Sequence, residues 1–271
     1  LTSDKKPNAM NVTLSRDELA LVLSLLQVDT LPGLEANPLG ELNASQAEMS
    51  AVVAARGLRA RALARVEPTS GQLLLHVGVL GAVSACTGAE AALFAWHWHG
   101  DEPSPQRWYG YRRGQNYVVH QPLEDVLHRF TVLSAGTQLV EEALTVCNIE
   151  SAGQRALVGE LYLKGSDFAR VRQLIATGAT EEAQSVLAAS AASPAVVAAL
   201  LATLVAGPQI SIVQLFTRTT TATPLQQDFT LLQNQYALWL MTPVAGDVER
   251  VHIQSITRAD LYDLLVREMV K

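Results

Sequence analysis

The sequence predicts an α+β fold of two tandem, similar halves, each holding helices, a four-stranded antiparallel meander and a closing helix. Three observations carry that expectation. The hydrophobic period changes twice, near residues 93 and 210, from helical spacing to short runs of aromatic and β-branched residues. Each change follows a long apolar segment stopped by glycine, Leu73 to Thr87 before Gly88 and "SPAVVAALLATLVAG" ending at Gly207. An offset of 119 residues also lays His76 to His120 on the second half without a gap, so that Val77 meets Val196, Gly88 meets Gly207 and Tyr117 meets Tyr236. Identity along this alignment is at chance level, and the shared order of elements is the signal. It reads as an internal duplication with pseudo-twofold symmetry, the halves being 12–148 and 149–271.

The elements follow in order. Ser15 and Glu18 have capping-box spacing, with Leu14 and Leu19 as the hydrophobic staple, and open a helix to about Gln27. "LPGLEANPLGELN" is a loop by its prolines and glycines. Ser45 and Glu48 repeat the capping spacing and open a second helix through about Arg65. Leu73 to Thr87, apolar nearly all round, reads as a buried helix. Four strands are expected at Leu93–His99, Arg107–Arg112, Asn116–Gln121 and Leu127–Leu133, separated by "GDEPSP", "RG" and "PLED". A helix from Thr137 to about Cys147 ends the first half. In the second, helices are expected at Ala156–Tyr162 with an extension through Phe168–Ile175, at Thr180–Ala189 and at Ala195–Ala206, with Pro194 at a first helical position. Strands Ile210–Arg218, Asp228–Leu232, Tyr236–Thr242 and Val248–Ile256 and a helix from Thr257 to Val270 complete the chain.

Composition narrows the function classes. With 49% apolar and 17% charged residues among 271, the chain is globular rather than disordered. A net charge of −6 opposes a dedicated nucleic-acid surface. Arg56, Arg59, Arg61 and Arg65 offer a grip for phosphate, but a solvated helix face is the simpler reading. No apolar run approaches the roughly 20 residues of a membrane span, and "LTSDKKPNAM" lacks the apolar core of a signal peptide. A cytoplasmic location is therefore expected. Cys86 and Cys147 match neither a metal nor a redox spacing. No nucleophile elbow, phosphate loop or dinucleotide fingerprint occurs, so neither an enzyme nor a bound cofactor is expected.

One stretch stands out: "FAWHWHGDEPSPQRWYGYRRGQNYVVHQ", Phe94 to Gln121, with three of the four tryptophans and three of the six histidines. Strand alternation puts Phe94, Trp96 and Trp98 on one side and His97 and His99 on the other. Phe94 and Trp96 align with Val213 and Leu215, so that side is expected to be core, leaving the histidines outward. A His-x-His pair chelates zinc when further ligands arrive, and His120 or Asp101 stand nearest, but no full set is specified and no metal is expected. Choosing the register that buries Trp108 groups His97, His99, Tyr109, Tyr111 and Arg113 as an outward patch. Tyrosine and arginine suit the centre of a protein interface, and plain cross-strand packing of aromatics is the competing reading. The patch is the expected protein-binding site, toward a partner or a second copy in a homo-oligomer. An enzyme of unrecognised type working from a His97/His99 surface is the alternative.

The capped helix "LSRDELALVLSLL", the strand pair "RWYGYRRGQNYVVHQ", the strand "HRFTVL" and the closing helix, in that order, resemble the plan of the EspG family of type VII secretion. The resemblance runs from Leu14 to Val270 and is one of plan, with no specific motif, so no family binding residue transfers. It implies a quasi-twofold α+β chaperone of the cytosol that binds the tip of secreted PE–PPE helical pairs and keeps them soluble. "GDEPSP" is where a substrate-contacting hairpin extension would be sought, and it is short.

Overall fold

Ser15 closes a strand and caps a helix at once in the computed structural model, which describes residues 10–34, 40, 42–98, 102–123, 126–149, 159–190, 192–218 and 225–270. The strand, β1 (Met10–Ser15), was not expected from the sequence; its Val12 and Leu14 alternate inward, over too short a run to register as a period. The helix is α1 (Arg16–Leu25), and its capping box forms: Ser15 Oγ accepts from the Glu18 amide at 3.2 Å, and Glu18 Oε2 accepts from the Ser15 amide at 2.8 Å. The next helix, α2 (Ala44–Ala60), starts slightly earlier than expected, because Asn43 and Gln46 rather than Ser45 and Glu48 make the box.

The end of α2 departs further from expectation. Arg61 turns inward to Glu18 Oε2 at 2.5 Å and to the Thr13 carbonyl at 2.7 Å, and Ala62 takes a left-handed φ of 56°. Arg65 therefore lies on a strand, β2 (Ala64–Val66), in a hairpin with β3 (Leu73–Leu75). "EPTSGQ" is its turn, closed by the Glu67 amide on the Gln72 carbonyl. The apolar run thus splits, its first three residues joining the hairpin while α3 (Val77–Thr87) begins after His76 and ends at Gly88 as expected. Nor is α3 covered all round: Val79, Val83 and Cys86 are buried, whereas Val77 and Leu80 are exposed.

The meander is present as β4 (Ala91–Trp98), β5 (Gln106–Arg113), β6 (Asn116–Leu123) and β7 (Leu127–Leu133), followed by α4 (Gly136–Val146). Then comes β8 (Glu160–Lys164), where a helix was expected over Ala156–Tyr162. Of that span, residues 156–158 lie outside the described residues, and in "ELYLK" Leu161 and Leu163 point into the core at the period of a strand. α5 (Gly165–Ala176), α6 (Thr180–Ala188) and α7 (Pro194–Val205) follow, the last capped by Ser193 with Pro194 at its first position. β9 (Gln209–Thr217), β10 (Leu225–Gln233), β11 (Leu238–Val244), β12 (Asp247–Ile256) and α8 (Arg258–Met269) complete the fold. Tyr236 precedes β11 and is 70% exposed in a turn held by Asn234, so it does not mirror the buried Tyr117 of β6.

The fold is α+β, with eight helices among the described residues, an antiparallel sheet ordered β1-β7-β6-β5-β4-β9-β10-β11-β12-β8, and the β2–β3 hairpin apart. Two compact units divide the chain. One comprises Leu1–Phe94, Arg107–Leu139 and Thr217–Pro224, the other Ala95–Gln106, Val140–Phe216 and Leu225–Lys271. In each, a leading strand pairs antiparallel with the last strand of a meander, β1 with β7 and β8 with β12. The second unit gathers Val196, Leu200, Leu204, Trp239 and Ile253 into one core, where Trp239 Nε1 donates to Thr203 Oγ1 at 3.0 Å.

In the first unit β5 and β6 are buried on both faces at their middles, while β7 keeps one exposed side. Trp108 and Tyr109 point to opposite sides of β5 and are 0% and 1% exposed. Gly110 makes room on the Trp108 side: a Cβ there would lie 2.5 Å from the indole and 2.8 Å from Leu139 Cδ2 of α4. Gly110→Ala is accordingly expected to destabilise the protein by about 1–3 kcal/mol through overpacking, read as a lowered urea midpoint at unchanged slope.

Candidate functional site

Of the five residues expected on an outward patch, His97, Tyr109 and Tyr111 are buried. The patch therefore does not form as a surface, because the sheet it was to line is covered where solvent was expected. Arg113 is exposed, and its guanidinium donates to the Ser84 carbonyl at 2.9 Å, at the C-terminal end of α3 where a cation is favoured by the helix dipole. His99 lies outside the described residues. On β4, Phe94 is buried as expected, but His97 on the other side is buried too, while Trp96 and Trp98 are half-buried.

Cross-strand register turns the aromatic stretch into an interior stack. Tyr109 faces His120, His120 faces Phe130, and Phe130 faces Val12 across four adjacent strands. The Tyr109 and His120 rings stack at 5.5 Å and 21°, and the His120 and Phe130 rings at 4.7 Å and 12°. Phe94 meets Tyr109 and Tyr111 edge-on. The Tyr111 hydroxyl donates to the Pro32 carbonyl at 2.6 Å, and burial, with Cys86 and Tyr109 beside it, raises its pKa well above the ordinary value.

His120 Nε2 and His128 Nδ1 are 3.0 Å apart, one donating to the other. His120 Nδ1 and His128 Nε2 are buried with no hydrogen-bond partner among the described residues. Burial, and then the neighbouring imidazole, lowers the His120 pKa to about 3, while burial and the charge of Arg16 lower that of His128 to about 4. Both rings are therefore neutral packing elements at ordinary pH. Among the described residues no group of three or more His, Cys, Asp or Glu is arranged to hold a metal.

His97 belongs to a buried polar cluster in the second unit. Its Nδ1 lies 2.8 Å from Ser211 Oγ. Gln233 Nε2 donates to the Cys147 carbonyl at 2.9 Å and to the Asn148 carbonyl at 3.0 Å, where α4 ends in the left-handed Asn148. The Cys147 thiol is pushed up to about 12 by burial, and that of buried Cys86 is raised as well, so neither is a ready nucleophile. A serine and a histidine in contact form a nucleophilic pair only when a substrate can reach them. Here Ser211 and His97 are 1% and 0% exposed, and the contact ties α4 to β9 and β4.

The surface with binding character lies elsewhere, on residues the sequence reading passed over. On α2 only Ala54 and Leu58 are buried, while Met49, Val52 and Val53 are exposed. Beyond the end of that helix, Ala62, Ala64, Arg65, Leu74, His76 and Val77 line an open groove of ≈ 510 Å³. The signal was present in the sequence: small residues Ala51, Ala54 and Ala55 lie opposite the larger Met49 and Val53, with Gly57 at the margin. Close packing chose the small face, since a Cβ on Gly57 would lie 2.7 Å from Glu18 Oε1.

No family model matches the chain, and no curated protein is similar to it in sequence. Among solved structures, the type VII secretion system chaperone EspG5 of Mycobacterium tuberculosis, determined in complex with a PE25–PPE41 dimer, matches with a TM-score of 0.63. The match covers 96% of this chain and 95% of that one, at 12% identity. The fold is similar to that of EspG5. At this identity the likeness to EspG5 is one of fold, and it extends over almost the whole of both chains. As for membranes, no described helix is long and apolar enough to cross one.

The neutral histidine pair has a measurable consequence. Above the ordinary pKa of 6.5 neither the folded nor the unfolded chain holds a proton on these rings, and the native state carries no penalty. Below it, the unfolded chain takes up protons that the folded chain refuses until about pH 4 for His128 and about pH 3 for His120, so stability falls with falling pH. Urea titrations between pH 7 and pH 4 are expected to show that loss. His120→Phe, which keeps the stacked ring, is expected to make the pH dependence shallower.

Proposed function

We propose that this protein is a non-enzymatic, chaperone-like binding protein of the cytoplasm that holds a secreted helical protein pair of the PE–PPE kind soluble before export. The single observation that carries this reading is the likeness of fold to EspG5, a chaperone determined with such a dimer bound, over nearly the full length of both chains. The interior supports it. His97, His120, His128, Cys86 and Cys147 are buried, and α2 presents exposed Met49, Val52 and Val53 beside Arg56 and Arg59. An internal duplication belongs to the same reading, since both units pair a leading strand with the last strand of a meander.

The test is co-expression of the chain with PE–PPE pairs encoded by its own host, followed by size-exclusion chromatography and mass measurement. The expected outcome is a stoichiometric complex, with the pair insoluble or aggregated when the chain is omitted. A pair that stays soluble alone, or that never co-elutes with the chain, would overturn the proposal.

A further inference from the structure

One helix in the first unit leaves an apolar stripe exposed. Met49, Val52, Val53, Arg56, Arg59 and Ala60 occupy one side of α2 by helical spacing, and all six are exposed. From Met49 to Ala60 the stripe runs about 16 Å along the helix axis. Its end leads into the groove of the β2–β3 hairpin, where Val77 is 76% exposed at the rim and Leu80 stands exposed one turn along α3. The groove walls at Ala62 and Ala64 are too small to fill it, which leaves space for a large side chain from outside. Solitary exposed apolar residues are ordinary, but a run of them continuous with an apolar groove marks an interaction surface.

Charge selects the occupant. Arg56 sits in the middle of the stripe, Arg59 at its margin and Arg65 on the groove wall, and none has an ion-pair partner among the described residues. Arg61, by contrast, is engaged with Glu18. Among the described residues the acidic ones nearby are Asp17, which accepts from Ser50 of α2, Glu48 at the start of that helix and Glu67 in the hairpin turn, bonded to Ser70. Three free guanidiniums beside exposed methionine and valine are complementary to an apolar ridge flanked by carboxylates. A straight stripe ending in a pit matches a helix whose terminal side chain inserts. An anionic membrane surface shares part of this chemistry, but the net charge of −6 opposes its approach and a pit offers it nothing.

We infer that the exposed side of α2 and the adjoining β2–β3 groove form a docking surface for an acidic amphipathic helix of a partner protein. This deepens the proposed binding function and rests on it. The arginines supply orientation and encounter rate, while Met49, Val53 and Val77 supply the buried area. The groove takes one large apolar residue near the end of the partner helix.

The experiment uses the full chain and two synthetic stapled helical peptides sharing one leucine stripe, with flanks of glutamate in one and lysine in the other. Fluorescence anisotropy is expected to show the glutamate peptide binding at least about tenfold more tightly than the lysine peptide. R56E/R59E/R65E is expected to reverse that preference, and Val53→Asp to abolish binding of both, each variant keeping the wild-type urea midpoint as exposed positions do. Equal affinity for the two peptides, or indifference of the glutamate peptide to charge reversal, would overturn the inference. So would tighter binding to phosphatidylserine vesicles than to the peptide, or a doubled mass in solution that Val53→Asp returns to monomer. A chain that holds its PE–PPE pair unchanged in R56E/R59E/R65E loses this surface and keeps the proposed function. A chain that binds the glutamate peptide selectively but no such pair keeps the surface and loses that function.

Discussion

The middles of β5 and β6 are buried on both faces, and most of what is unusual in the first unit follows from that. A strand covered on both sides cannot send its polar residues to solvent, so they must be satisfied among themselves or by backbone. Tyr111 reaches the Pro32 carbonyl and His120 reaches His128. Rings fill the space that alternation would otherwise leave for water, and the Tyr109–His120–Phe130 stack crosses three strands in register. The same constraint explains the neutrality of the imidazoles. A protonated ring at that position would be a buried charge with no carboxylate described beside it, and its cost appears as a lowered pKa.

Glu18 carries a comparable load at the edge of the same unit. Its carboxylate closes the α1 cap, pairs with Arg61 at the end of α2 and occupies the space that Gly57 leaves open. One side chain thereby sets the start of one helix, the end of another and the distance between them. By ending α2 at Ala60 it also frees the following residues to form the hairpin, and with it the groove. The interaction surface is thus tied to a packing decision made on the opposite side of the helix.

Binding character and chemical reactivity separate cleanly in this molecule. The residues with catalytic names, His97, Ser211, Cys147 and the His120–His128 pair, lie in the interior where they hold strands and helices together. The exposed stripe of α2 is made of Met49, Val52, Val53, Arg56, Arg59 and Ala60, which supply area and charge.

Much of the architecture was legible from the chain alone. The capping box at Ser15, the proline and glycine bounds of α7, the four turn-separated strands of each meander and the closing helix are local signals, and local energetics decide them. The strands β1, β2 and β8 were not legible, because three to six residues of alternation take their stability from a partner strand distant in sequence. Periodicity told which residues of β4 and β5 share a side but not which sides are covered; that depends on helices arriving on both faces, and so His97, Tyr109 and Tyr111 became core rather than surface. On α2 the decision was steric. Gly57 leaves the space that the Glu18 carboxylate fills, Ala54 and Leu58 went inward, and Met49, Val52 and Val53 were left to solvent.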